Sequence, residues 1–105
     1  MNKYILAYHG GGGFKTKEEG AAHMVNWNNW TASLGAALID PGMPAGPSKT
    51  VTADGVEDGG GSNPLSGISI LEAESMDAAL EMVKDCPHVS IGGTIEVAEA
   101  MQMKM

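Results

Sequence analysis

Residues 66–85 read SGISILEAESMDAALEMVKD, and this stretch predicts a strand followed directly by a helix. Ser66–Ala73 is short, apolar and rich in isoleucine, which is typical of a strand. Ser75 is a good N-cap, and the apolar side chains of Met76–Asp85 then recur at helical spacing. Pro87 cannot continue that helix. A strand–helix unit is therefore predicted in the carboxyl-terminal half.

The amino-terminal part repeats the same order. Lys3–His9 (KYILAYH) is an apolar run with two tyrosines, and four glycines, Gly10–Gly13, follow it as a loop. Thr16 and Glu19 form a capping-box pattern at the start of an amphipathic segment. The spacing predicts a helix over Lys17–Leu34.

Two further strands complete the prediction. Ala36–Ile39 is short and apolar, and we expect it to end at Asp40-Pro41, because proline lacks the N–H that a strand ladder needs. Gly93–Ala98 (GTIEVA) alternates apolar and polar residues.

A long irregular segment and a tail remain outside these elements. Pro41–Pro64 is dense in glycine and proline, with a small hairpin predicted at Lys49–Ala53 followed by Asp54-Gly55. Segments of this length are usually functional or mobile. The tail, Glu99–Met105, is expected either to fray or to contact a partner.

The order strand, helix, strand, strand, helix, strand predicts an α+β, ferredoxin-like fold. Two right-handed βαβ units give a four-stranded antiparallel sheet with both helices on one face and strand three between strands one and two. Ile68 and Ile70 point to one side of strand three and Leu71 to the other, so neither face is fully polar. We therefore expect a homodimer that covers the open face of the sheet.

Composition limits the classes of function. The 105 residues suit one domain, 1–105, and a net charge of -7 with no cluster of basic residues argues against nucleic-acid binding. A single cysteine, Cys86, excludes an intramolecular disulfide and favours a reducing compartment, so a cytoplasmic location is expected. No run is long enough to cross a bilayer, and no membrane partner is expected.

The predicted topology brings polar side chains to one edge of the sheet. They come from the end of strand one, the first helix, the end of strand two and the link before strand four: His9, His23, Asp40 and His88. His23 with Asp40 is the first choice for a general acid/base pair, because a carboxylate orients an imidazole and stabilises its charged form. Trp27 and Trp30 offer an apolar wall for a planar ligand, with His9 and His88 as further binding residues.

Structural explanations compete with this site. His23 on an apolar helix face is at least as consistent with a core histidine bonded to a backbone carbonyl, and Asp40 before a proline with a turn former. Trp27 and Trp30 fit core packing better than ligand binding. The glycine run lacks the Lys-Ser/Thr of a phosphate loop, the histidines match no metal signature, and Cys86 suits a buried structural role.

The chain resembles the YCII-related family, and within it the subgroup named for a DGPF motif. The matching segments are Tyr4–Tyr8, the helix with His23 and Trp27, the Leu34-Gly35 break, KTVTADG at Lys49–Gly55, LSGISILEAESMDAALEM at 65–82 and CPHVSIGGTIEVAEA at Cys86–Ala100. The sequence departs at Gly59–Pro64, where GGGSNP replaces the naming motif.

The resemblance implies a ferredoxin-like fold that pairs into a dimeric α+β barrel. It also implies an active site with a His-Asp pair, which by position is His23 and Asp40, and one relative looks like an enzyme acting on chlorinated hydroxyquinones. We therefore expect a cofactor-free acid/base enzyme for a small cyclic organic substrate. The alternatives are an inert dimeric module that binds a small molecule or a regulatory partner protein, and a purely structural dimer without a cavity near Trp27.

Overall fold

The computed structural model describes residues 1–101. Its elements, in chain order, are β1 (Asn2–Gly10), α1 (Lys17–Leu34), a 3-10 turn (Gly35–Ala37), β2 (Leu38–Pro44), β3 (Lys49–Thr52), β4 (Gly55–Asp58), β5 (Leu65–Ala73), α2 (Met76–Val83), α3 (Pro87–Ser90) and β6 (Gly93–Glu99). The last four residues of the tail, and with them most of its expected fraying or partner contact, lie outside the described range.

The main sheet has four strands in the order β2-β5-β1-β6, with every neighbouring pair antiparallel. The predicted ferredoxin-like α+β fold is therefore confirmed, including the position of the third main-sheet strand, β5, between β1 and β2. The predicted hairpin is also present as β3 and β4, which form a separate two-stranded sheet.

The predicted limits of β2 were wrong. The expected strand Ala36–Ile39 was to stop at Pro41, whereas β2 begins at Leu38 and continues to Pro44. It continues because β2 is an edge strand whose pairing with β5 is irregular on both sides of Asp40. Proline is tolerated at such bulged edge positions.

The second helix also differs from the expectation. It begins at Met76 as predicted but ends at Val83 rather than Asp85. Pro87 does not only stop helix formation, since it opens the one-turn helix α3 at a position where its missing N–H costs nothing. His88, expected in the link before the last strand, therefore lies on this short helix.

The core lies between the sheet and the helices. The helix-facing residues of β1 are Tyr4, Leu6 and Tyr8, and all are buried. Trp30 of α1 is also buried, and its indole N–H donates to the carbonyl of Met82 at 3.0 Å, which ties α1 to α2. Trp30, one of the two tryptophans considered as a wall for a ligand, is thus a core residue, as the alternative of core packing predicted.

The opposite face of the sheet is uncovered. On β5, Ile68 is 42% exposed while its neighbours Gly67 and Ser69 are buried, which confirms the expected alternation. The molecule measures 44 × 43 × 18 Å, so it is flat, with its helices on one side. Within residues 1–101, none of the helices has the length and apolar character needed to cross a membrane.

Candidate functional site

A cavity of about 350 Å³ lies at the edge of the sheet where β1 and β2 end and α1 passes over them. Its walls come from β1, α1, β2, β5 and α3, and its lining residues are Tyr8, His23, Met24, Trp27, Pro41, Gly42, Met43, Pro44, Ser66, Gly67, Ile68 and His88. The structure therefore brings together three of the six predicted site residues, His23, Trp27 and His88.

His23 is the most open titratable group of this cavity. Its ring lies between Phe14 and Trp27, with centroid distances of 5.1 and 6.1 Å. Over the described part of the chain, the ring nitrogens of His23 form no hydrogen bond. Every buried side-chain nitrogen or oxygen in that part has a hydrogen-bond partner, so nitrogens without a partner are not buried. The nitrogens of His23 are thus accessible, unlike those of a core histidine held by a backbone carbonyl.

His88 is anchored in the opposite way. The residue is 8% exposed, and its ring Nε2 donates to the carbonyl of His9 at 2.9 Å, since a carbonyl can only accept. A Cβ added at Gly11 or Gly93 would collide with the ring. One glycine of the run after β1 therefore makes room for an imidazole, a signal that sequence reasoning assigned only to loop flexibility.

Tyr8 is a cavity residue that sequence reasoning missed. Its hydroxyl donates to Ser69 Oγ at 2.9 Å, and Ser69 in turn donates to the carbonyl of Pro41 at 2.8 Å. Burial raises the pKa of Tyr8 to about 12, so the phenol keeps its proton at neutral pH. Period-two alternation along β1 was the available signal, because it places Tyr8 on the helix-facing side at the end of the strand.

Asp40 lies beside the cavity rather than in its lining. Its Oδ1 accepts the backbone N–H of Gly42 at 2.8 Å, a turn-forming contact. In the register of the sheet, Asp40 is opposite Ile70, which projects to the uncovered face. No hydrogen bond or ion pair joins Asp40 to His23 in residues 1–101. The His23–Asp40 pair thus stays a prediction.

His9 lies on the other side of the sheet from the cavity. It alternates with Tyr8 along β1, and its ring nitrogens contact the Asn63 carbonyl at 3.1 Å and a Glu96 carboxylate oxygen at 3.2 Å. The predicted polar residues therefore lie near one edge of the sheet, but their side chains are divided between the helix-covered face and the uncovered face. Trp30 is likewise separated from the cavity by its place in the core.

Other groups offer less chemistry. Across residues 1–101, no three His, Cys, Asp or Glu side chains converge closely enough to hold a metal ion. Burial raises the pKa of the Cys86 thiol to about 11, which keeps it protonated and weakly nucleophilic. A larger groove of about 730 Å³ beside the hairpin is open and is lined mainly by glycine, proline and serine, with one Lys–Asp pair.

The chain matches a protein-family model. The model of the YCII-related domain covers residues 1–104. No curated protein is similar enough to match the chain. The match does not separate the DGPF subgroup from the rest of the family, so that subgroup stays a prediction. Because the match spans nearly the whole sequence, the chain belongs to the YCII-related family.

Proposed function

We propose that the protein is an enzyme that uses His23 as a general acid/base on a small cyclic organic molecule bound in the cavity. One observation carries the proposal: His23 has accessible ring nitrogens at the wall of a largely apolar cavity. An imidazole titrates close to neutral pH and transfers protons in either direction. Proton transfer of this kind needs no cofactor.

The size and walls of the cavity support a small cyclic substrate. A volume of about 350 Å³ lies at the lower end of typical ligand sites, roughly 300–1,000 Å³. Tyr8 and Trp27 meet edge to face at 5.5 Å and provide flat, rigid surfaces beside His23. Such surfaces suit a ring better than a flexible chain.

Asp40 enters the proposal as a positioning residue. Its carboxylate holds the N–H of Gly42, and Pro41 and Gly42 form part of the cavity wall. A direct contact with His23 would be a second role for this carboxylate. The Asp40→Asn variant separates the two roles, because the amide oxygen still accepts the N–H but carries no charge. We expect turnover within threefold of the parent; a loss of 100-fold or more would instead support a direct His23–Asp40 pair.

The test of the acid/base role is a turnover screen on small phenols and lactones. For any substrate that the parent converts, we expect His23→Gln to lose about 10²- to 10⁴-fold in kcat/KM, the usual contribution of general acid/base catalysis. His9→Gln is the matched control, because His9 lies on the other face of the sheet, and it should stay within threefold. Equal turnover by His23→Gln and the parent would remove the role.

A second candidate is a dimeric module without catalysis that binds a small molecule or a regulatory protein. The uncovered sheet face with its exposed Ile68 favours self-association, which either function accommodates. In that case the cavity would bind ligands but convert none. For both candidates we propose a cytoplasmic homodimer without nucleic-acid or membrane partners, consistent with the acidic charge and the free Cys86.

A further inference from the structure

The hydrogen bonds around the cavity have a common direction. At Tyr8 the direction is fixed by chemistry: the Pro41 carbonyl can only accept, so Ser69 must donate to it, and Ser69 must then accept from Tyr8. The phenolic hydrogen is therefore committed to the protein. Towards a ligand, the Tyr8 oxygen can only accept.

Two other polar side chains of the lining follow the same pattern. The hydroxyl of Ser66 donates to the Gly10 carbonyl at 2.7 Å, and His88 Nε2 donates to the His9 carbonyl at 2.9 Å. Their polar hydrogens thus end on backbone carbonyls. In the neutral ring of His88, the remaining nitrogen, Nδ1, is an acceptor.

Three backbone positions of the lining also offer no free donor. Pro41 and Pro44 have no N–H, and the N–H of Gly42 is held by Asp40. Among the side chains of the described lining residues, the donors left for a ligand are the indole N–H of Trp27 and one ring N–H of His23.

Charge gives a second, independent restriction. The lining described above contains no lysine, aspartate or glutamate, and the whole chain contains no arginine. A carboxylate or phosphate would therefore lose its hydration without gaining a permanently charged cationic partner, which is costly in an apolar cavity.

We infer that the ligand of this cavity is an uncharged, mainly apolar compound that donates hydrogen bonds through hydroxyl or N–H groups. The inference rests on the proposed function only in placing the ligand beside His23. The specificity-determining group is Tyr8, with Ser69 as the residue that fixes the direction of its hydrogen bond. A hydrogen-bonding site discriminates well because an analogue without the matching group leaves buried polar atoms unpaired.

The test compares three probes that differ in one property: phenol, anisole and benzoate. Binding is measured at neutral pH through the chemical shifts of Trp27 and Tyr8, without turnover. We expect phenol to bind about fivefold more tightly than anisole, the factor that one net hydrogen bond supplies, and benzoate to bind more weakly than both. Equal or tighter binding of anisole, tighter binding of benzoate, or no binding of phenol would each overturn the inference.

Two variants test whether Tyr8 and Ser69 cause the preference for phenol over anisole. Ser69→Ala frees the hydrogen of Tyr8 to donate outward, so the preference for phenol should shrink to less than twofold because anisole binds better. Tyr8→Phe should reduce the preference for phenol because phenol binds more weakly. This variant keeps the inference testable if Ser69→Ala does not fold. Ser33→Ala, which removes a hydroxyl bonded to the Trp30 carbonyl outside the cavity, is the control and should keep the parent preference.

The same comparison in His23→Gln separates this inference from the acid/base proposal. If the parent converts nothing but the preference for phenol persists in both proteins, the proposed function fails and the inference stands. If His23 is needed for turnover but anisole binds as well as phenol, the proposed function stands and the inference is overturned.

Discussion

His88 depends on two glycines for its place at the cavity. The absence of a Cβ at Gly11 and Gly93 leaves the space that the ring occupies, and its bond to the His9 carbonyl then fixes the ring. Gly93 is not at positive φ, so its role is spatial rather than conformational. Gly11, directly after β1, and Gly93, the first residue of β6, thus leave the space that the site needs for His88.

Gly93→Ala should destabilise the protein, because the added methyl group displaces a buried ring. We expect a loss of about 1–3 kcal/mol, the usual cost of overpacking, measured by urea unfolding. Gly13→Ala is the matched control: its Cβ would meet no atom within 4 Å, and its φ is not positive. Equal effects of the two substitutions would contradict the account of His88.

Cys86 should make stability fall at alkaline pH. Its thiol has a pKa of about 11 in the folded protein against an ordinary 9.0. Between these values the unfolded chain releases a proton that the folded chain retains, so stability is full below pH 9 and is lost as pH rises towards 11. We expect the Cys86→Ala variant to lose about 1–2 kcal/mol less than the parent across this range. Parallel pH profiles of the two proteins would contradict the burial of the thiol.

The cap of α1 shows how closely a local pattern determines an element. Thr16 Oγ1 accepts the N–H of Glu19 at 3.1 Å, and the helix begins at Lys17, where the capping pattern predicted its start. The Glu19 side chain accepts from the N–H of Lys15, one residue before the expected partner.

Thr16→Ala should cost about 1 kcal/mol of stability in thermal or urea unfolding, since it removes the N-cap. Thr31→Ala makes the same change within the same helix, where the hydroxyl bonds to the Asn28 carbonyl. Alanine favours the helix interior, so this control should be neutral or slightly stabilising. A larger loss for Thr31→Ala than for Thr16→Ala would contradict the assigned role of the cap.

The elements also show what the sequence could not predict. Helix α1 and the hairpin follow from local signals. The strand order follows from the order of the elements together with the crossover rule. The extension of β2 past Pro41 does not, because it depends on the pairing of an irregular edge strand with β5. The division of the candidate site has the same origin: the order of elements places His9 and Asp40 at the correct edge, but their faces depend on strand register.

The whole molecule is flatter than a compact chain of this length. Its radius of gyration is 15.2 Å, against about 13 Å for a compact domain of 100 residues. The uncovered face of the sheet carries Ile5 and Ile70 as direct cross-strand neighbours. These features support the proposed dimer, in which two sheets face one another.

Ile70→Asp should abolish that association. In sedimentation velocity we expect the parent to migrate as a dimer and the variant as a folded monomer, because a carboxylate would be buried without a partner at the interface. Val51→Asp, at a hairpin position that is 80% exposed, is the control and should stay dimeric. A monomeric parent, or a dimeric Ile70→Asp variant, would contradict the proposed interface.

The most direct test of the account is chemical modification of the histidines, because the central claim is that the His23 ring is accessible in the cavity. Diethyl pyrocarbonate reacts with neutral, accessible imidazole, and mass spectrometry resolves the rate at each site. We predict that His23 reacts fastest, that phenol slows it, and that His88, bonded to the His9 carbonyl and 8% exposed, reacts slowest. Reaction of His88 as fast as or faster than His23 would contradict the account.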